Sequence, residues 1–247
     1  MSHASPPRDV ATPAPAQGGA FALRQGVTRR EFKYLLPHVH GALAVSRVHR
    51  SVPLLTREHA PRQVSSIYFD SASYDCYRQS NSGDNERVKL RMRWYGDGLV
   101  VTPVLELKHR ANHMGWKGQH SLPSMELGAL TFGELRERFR ACVTPREQAL
   151  VDVLRFPVLI ATYHRHYLVT PDRRIRVTVD TALRFIDQRN RRRPNLQFDR
   201  CEADFSVVEC KLDAEHEPAA RALLRNFGMR HSRFSKYCFG VGALARG

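Results

Sequence analysis

Apolar and polar positions alternate with a period of two along most of the middle of the chain. Such alternation sends successive side chains to opposite faces of a strand. It predicts strands over about 64 to 70, 86 to 95, 99 to 110, 117 to 126, 158 to 169, 173 to 180, 183 to 187 and 206 to 212. Helical spacing replaces it over about 37 to 48, where Val39, Leu43, Ala44 and Val48 share a face behind Pro37, and again over about 131 to 141, 145 to 155 and 215 to 227. Arg29 to Leu35 reads as a strand ahead of the first helix, and Arg189 to Pro194 (RNRRRP) as an exposed loop. Residues 1 to 26, rich in Pro, Ala, Ser and Gly, have little to bury and are expected to form a disordered leader to a single domain over 27 to 247.

The polar faces of these strands are unusual. Arg87, Lys89, Arg91 and Arg93 lie on one face of their strand, opposite Val88, Leu90, Met92 and Trp94. Arg174 and Arg176 lie opposite Ile175 and Val177, Glu106, Lys108 and Arg110 opposite Leu105 and Leu107, and Glu209 and Lys211 opposite Val208, Cys210 and Leu212; Tyr163 and Arg165 form a further instance. A solvated sheet face normally mixes signs, and like charges opposite each other destabilise a sheet. Two such charges 4 Å apart repel by roughly 4 kcal/mol at an effective dielectric of about 20. A bound polyanion removes that repulsion.

Charge and cysteine usage narrow the field. The formal net charge of +15 calls for an anionic partner. Cys76, Cys142, Cys201, Cys210 and Cys238 form no CxxC pair, which fits reduced thiols in a cytoplasmic protein, and no stretch approaches the roughly 18 to 20 apolar residues of a spanning helix. The histidine pairs His38/His40, His109/His113 and His164/His166 do not supply the four clustered ligands of structural zinc. No GxxxxGK[ST] motif is present.

A sheet curled into a barrel, with a charged lumen and its apolar outer face under helices, reconciles these features. About eight strands leave an interior the width of one slender ligand, such as a linear chain of phosphates. The carboxylates Glu31, Glu106 and Glu209 among the cations suit a divalent ion, because Mg²⁺ or Mn²⁺ is held by one or two carboxylates plus phosphate oxygens and water. A basic module that binds nucleic acid or an acidic surface without chemistry competes with this reading; it needs exposed basic faces and has no use for Glu209.

The segments RREFKYLL, SSIYFDSASYDCY, KLRMRWYG, LELKHR, ATYHRHYL, RIRVTVDT, VVECKL and RFSKYCFGV occur in that order. Through them the chain resembles, over about residues 28 to 242, the VTC domain, the polyphosphate polymerase module of the triphosphate tunnel metalloenzyme (CYTH-like) superfamily. The resemblance implies an α+β fold: an eight-stranded antiparallel β-barrel, the triphosphate tunnel, with flanking helices. It also implies metal-dependent transfer of the γ-phosphate of ATP to a growing polyphosphate chain, with Mn²⁺ or Mg²⁺ as cofactor. Lys33, Arg91, Arg93, Lys108, Arg165, Arg176 and Lys236 would line the tunnel, all but Lys33 as catalytic candidates, with Tyr163 and Ser235 as hydrogen-bonding neighbours and Lys211 as a further phosphate-binding candidate. Glu209 would be the principal metal ligand, with Glu31 and Glu106 as the others.

One departure matters. The wider superfamily opens with two glutamates in ExExK, where this chain has Arg29, Glu31 and Lys33, which argues against a two-metal arrangement and against a plain triphosphatase. Hydrolysis of a triphosphate nevertheless needs the same phosphate clamp and remains the alternative activity. ATP and polyphosphate are the expected partners. Nucleic acid is not expected, and coupling to membrane transport would require a separate membrane protein.

Overall fold

Among the described residues eleven strands form, of which nine join one antiparallel sheet. The computed structural model describes residues 29–111, 114–198, 200–225, 227, 229 and 231–246, so the leader expected over 1 to 26 lies outside the described residues. In chain order the elements are β1 (Arg29–Pro37), α1 (Gly41–Ser51), β2 (Thr56–Asp70), α2 (Asp75–Ser82), β3 (Arg87–Tyr95), β4 (Val100–Val101), β5 (Val104–Ala111), β6 (Met114–Ser121) and β7 (Met125–Glu126). There follow α3 (Phe132–Cys142), α4 (Pro145–Val153), β8 (Phe156–Val169), β9 (Ile175–Asp187), β10 (Arg200–Glu202), β11 (Phe205–Asp213), α5 (Glu217–Arg225) and α6 (Lys236–Leu244).

The sheet runs β1-β11-β9-β8-β2-β3-β5-β6, with β10 added beside β9. The two strands expected over 173 to 180 and 183 to 187 are one strand, β9, bent where Ala182 takes a positive φ of 50°. The strands expected over 99 to 110 and 117 to 126 each shed a short piece, β4 and β7, which pair with each other. Helix α1 starts at Gly41, later than the spacing behind Pro37 indicates. Helices α3 and α4 begin at capping boxes, Thr131 with Glu134 and Thr144 with Glu147, which satisfy backbone donors at their first turns. Helices α2 and α6 are absent from the sequence reading, as is β10.

Apolar strand faces pack outward against helices in two clusters. One gathers Val177, Val179, Val208 and Cys210 with Ala44 and Val48 of α1 and Ala220 and Leu224 of α5. The other centres on Ile67, Leu90, Met92, Leu105 and Leu107 with Leu135 and Phe139 of α3. Helix α6 packs differently. A methyl group added at its Gly240 would stand 2.6 Å from Phe185 and 2.8 Å from Leu159, and Leu159 pairs with Tyr68 on the polar face of the sheet.

The sheet curls toward that polar face. Lys108 of β5 feels the charges of Glu31, Lys33 and Lys211, which belong to β1 and β11 at the far end of the strand order. A closed eight-stranded barrel was expected; among the described residues no hydrogen-bonded ladder joins β1 to β6, so the sheet is curled without being closed by hydrogen bonds. The free edge of β1 instead meets the segment that leads into α6: Tyr34 bridges His231, and Ser232 N–H donates to the Lys33 carbonyl at 2.8 Å. That contact covers backbone groups an edge strand would otherwise leave open.

Candidate functional site

Strand register gathers the charged side chains on the concave face, because residues directly opposite in an antiparallel pair share a face. Lys33 lies opposite Glu209, and Glu209 opposite Thr178. Glu31 lies opposite Lys211, and Lys211 opposite Arg176. Asp180 faces Arg165. Ser66 faces Arg93, Tyr68 faces Arg91, Arg91 faces Glu106, and Lys89 faces Lys108. From the end of the concave face that α6 fills come Ser235 and Lys236: Ser235 Oγ accepts at 3.5 Å from Lys89 Nζ, and Lys33 Nζ donates to the Phe234 carbonyl at 3.3 Å. Lys33, Arg91, Arg93, Lys108, Tyr163, Arg165, Arg176, Lys211, Ser235 and Lys236 therefore share one concavity.

Asp180 organises its centre. Fully buried, it accepts two hydrogen bonds from Arg165, at 2.6 and 2.7 Å, and one from Lys236 Nζ at 2.6 Å. Tyr163, 2% exposed, lies under both cations, with Lys236 Nζ 4.6 Å and Arg165 Cζ 5.2 Å from its ring centroid. Burial alone would raise the Asp180 carboxyl, but Arg165 and Lys236 overcome it and hold it below the usual range. Glu209 is treated alike: burial opposes its charge, while Lys211 at 2.6 Å, Arg165, Lys33 and Lys236 hold it well below the ordinary carboxylate value.

Glu106 is differently engaged. Its Oε2 accepts from Arg91 Nε at 2.5 Å, with Arg93 Nη1 at 3.8 Å; its Oε1 accepts from Gln119 Nε2 at 2.9 Å and lies 3.2 Å from Lys117 Nζ. Arg93 Nε also donates to Ser66 Oγ at 3.1 Å. Arg176 shares Glu58 Oε1 with Arg173, at 2.8 and 2.9 Å.

The walls around these groups are felt in their acidity. Lys108 is open to water, yet the protein surrounding it lowers its ammonium pKa, with Glu31 opposing and Lys211, Lys33 and Arg91 adding to the effect. Burial also lowers Lys89.

Comparison with known proteins decides the family, since the model of the VTC domain matches residues 28–245. The chain belongs to the VTC domain family. This VTC domain is 25% identical over 224 residues to vacuolar transporter chaperone complex subunit 4 of Trypanosoma cruzi (strain CL Brener), a match covering 73% of the chain and 28% of that protein. It thus spans little more than a quarter of that relative's length. Among solved structures it is similar to a putative adenylyl cyclase from Hippeastrum described as having a dominant triphosphatase activity, at 12% identity and a TM-score of 0.48, covering 87% of this chain and 96% of that one. A putative adenylate cyclase from Vibrio parahaemolyticus gives 10% identity and a TM-score of 0.44, covering 90% and 100%.

The VTC domain's carboxylates differ in fitness for a cation. Glu209 and Glu31 sit diagonally on adjacent strands, with the Lys211 ammonium 2.6 Å from Glu209 and that of Lys33 2.8 Å from Glu31, groups that a metal could displace. Glu106, expected among the metal ligands, has both oxygens engaged by Arg91, Gln119 and Lys117, a geometry suited to fixing Arg91 instead. Among the described residues no three His, Cys, Asp or Glu side chains are grouped to hold a metal, so an ion at Glu209 and Glu31 would complete its shell with phosphate oxygens and water. That donor set fits Mg²⁺ or Mn²⁺.

Sequence reasoning passed over Asp180, Lys117 and Tyr68, and placed Lys89 on the basic face without assigning it to the site. Lys89 and Lys117 carried the alternation signal. Asp180 lay inside RIRVTVDT, but its role depends on Lys236, which is 56 positions away.

Proposed function

We propose that this VTC domain transfers the γ-phosphoryl group of a nucleoside triphosphate, ATP for preference, to the end of an inorganic polyphosphate chain within a tunnel formed by the concave face. The observation that carries the reading is the convergence of Lys33, Lys89, Arg91, Arg93, Lys108, Arg165, Lys211 and Lys236 on one concavity that also holds Glu209. In this reading the curled sheet, with the segment at the β1 edge, encloses the phosphates on all sides.

Arg91 and Arg93, braced by Glu106 and Ser66, and Arg165, braced by Asp180, present guanidinium groups whose paired donors match phosphate oxygens. Lys33, Lys108, Lys211 and Lys236 act as point charges around them. A terminal oxygen of the acceptor chain attacks the γ-phosphorus, the bond to the β,γ-bridging oxygen breaks, and a nucleoside diphosphate leaves. The acceptor oxygen is already ionised, so no side chain must remove a proton. Glu209 and Glu31 would hold a divalent ion, which would supply charge neutralisation at the phosphates. Positioning and electrostatics carry most of the acceleration in such transfers.

Cytoplasmic residence belongs to the same proposal, and all five cysteines are free, as a reducing compartment requires. A partner from a transporter assembly is proposed on the ground of the Trypanosoma relative's name. No helix of the described residues is long and apolar enough to cross a membrane.

The test is to incubate the purified protein with ATP and Mn²⁺ or Mg²⁺ and resolve the products on a gel. Long polyphosphate with release of ADP is expected. Free phosphate without polymer would replace the proposal with a triphosphatase, and neither product would leave a binding module.

A further inference from the structure

Beyond Arg165 and Arg93 the concave face ends in a group of side chains that the phosphate clamp does not use. Arg62 lies opposite Arg165 on β2, and Tyr167 is two positions along β8 from Arg165 on the same face. Tyr95, the last residue of β3, continues the face of Arg91 and Arg93 to its rim. The Arg62 guanidinium carbon stands 4.6 Å from the Tyr95 ring centroid and 5.1 Å from that of Tyr167, and His59 meets Tyr167 edge to face with ring centroids 5.7 Å apart. Tyr95 is 46% exposed. Thr178 Oγ1 is buried without a hydrogen-bond partner, and Arg62 Nε and Tyr167 Oη have none beyond each other.

These features call for a flat ligand with polar edges. A half-exposed tyrosine at the end of a strand offers stacking surface, an arginine packed on it adds a cationic plane, and these donors need acceptor atoms. Inorganic phosphate supplies acceptors but nothing to stack. From Glu209 to the strand bearing Arg62 are three interstrand steps of about 4.8 Å, a span along which the phosphates and ribose can lie between the candidate metal ligand and the rim. We propose that the rim formed by Tyr95, Arg62, Tyr167 and His59 is a stacking subsite for the base of the nucleoside triphosphate. The inference rests on the phosphoryl-transfer reading above and adds to it the place and chemistry of nucleoside recognition.

The experiment compares ATP with tripolyphosphate by calorimetric titration, with Mg²⁺ present, for the parent protein and for Tyr95→Ala and Tyr95→Trp. Tyr95→Ala is expected to weaken ATP about tenfold while leaving tripolyphosphate unchanged, and Tyr95→Trp to retain ATP binding. Unchanged tripolyphosphate affinity also shows that the variant is folded. Equal ATP affinity in Tyr95→Ala and the parent, or equal loss of both ligands, would overturn the subsite and leave the phosphate site standing. Failure of the parent to bind either ligand would overturn the phosphoryl-transfer reading, and the subsite with it.

Discussion

Asp180 grips Arg165 through two parallel hydrogen bonds, Nε to Oδ1 at 2.6 Å and Nη2 to Oδ2 at 2.7 Å, while the same Oδ2 accepts from Lys236. One carboxylate thus offsets two cations in a concavity lined mainly by cations. Removing one partner of a buried ion pair costs about 3 to 5 kcal/mol, because the other charge is left without a counterion. Asp180→Asn is expected to lose stability of that order in urea unfolding, and saturating tripolyphosphate to restore much of it. A variant as stable as its parent would show that Asp180 does not hold these charges together.

Glu209→Gln preserves shape and removes the charge available to a cation. Catalytic turnover is expected to fall by orders of magnitude, with the far-ultraviolet circular dichroism spectrum unchanged. The parent's dependence on Mn²⁺ or Mg²⁺ concentration should disappear with it. An unaltered metal titration would remove Glu209 from the site.

Lys89 and Lys108 give the empty protein a defined pH dependence. Partial burial of Lys89 and the protein that surrounds Lys108 lower both ammonium groups below the ordinary lysine value of 10.5. Between the lowered value and that of the unfolded chain, the folded protein binds fewer protons, so its stability rises with pH through this alkaline window. A polyanion reverses the preference by favouring the charged lysines. Tripolyphosphate binding should take up protons there and weaken as pH rises, which titrations in buffers of different ionisation heat will measure. Binding without proton uptake at alkaline pH would contradict a phosphate site that includes these lysines.

Helix α6 offers a paired test of packing. At Gly240 an added methyl group would lie 2.6 Å from Phe185 and 2.8 Å from Leu159, whereas at Gly242 nothing stands within 4 Å. Overpacking typically costs about 1 to 3 kcal/mol, and exchanging glycine for alanine in an open helical position gains up to about 1 kcal/mol. Gly240→Ala is therefore expected to lower the melting temperature and Gly242→Ala to leave it unchanged or raise it. The opposite order would place α6 away from the sheet face described.

The sequence by itself determined which strand faces are charged. Alternation is a local property, so Arg87, Lys89, Arg91 and Arg93 had to stand together opposite Val88, Leu90, Met92 and Trp94, and burial follows that division. Eight quoted motifs sufficed for the family. Tertiary structure decided what joins residues far apart in the chain. Helix α2 lacks apolar spacing and forms because the Asp70 carboxylate, at the end of β2, accepts the backbone N–H groups of Cys76 and Tyr77 at 2.8 and 3.1 Å. The same carboxylate accepts from the Tyr237 hydroxyl, 167 positions away, and so fixes the helix that carries Lys236. Whether a glutamate faces an arginine or a lysine was equally beyond local pattern: Glu106 and Glu209 occupy similar alternating strands, and register, which set Arg91 across from one and Lys33 across from the other, separates them.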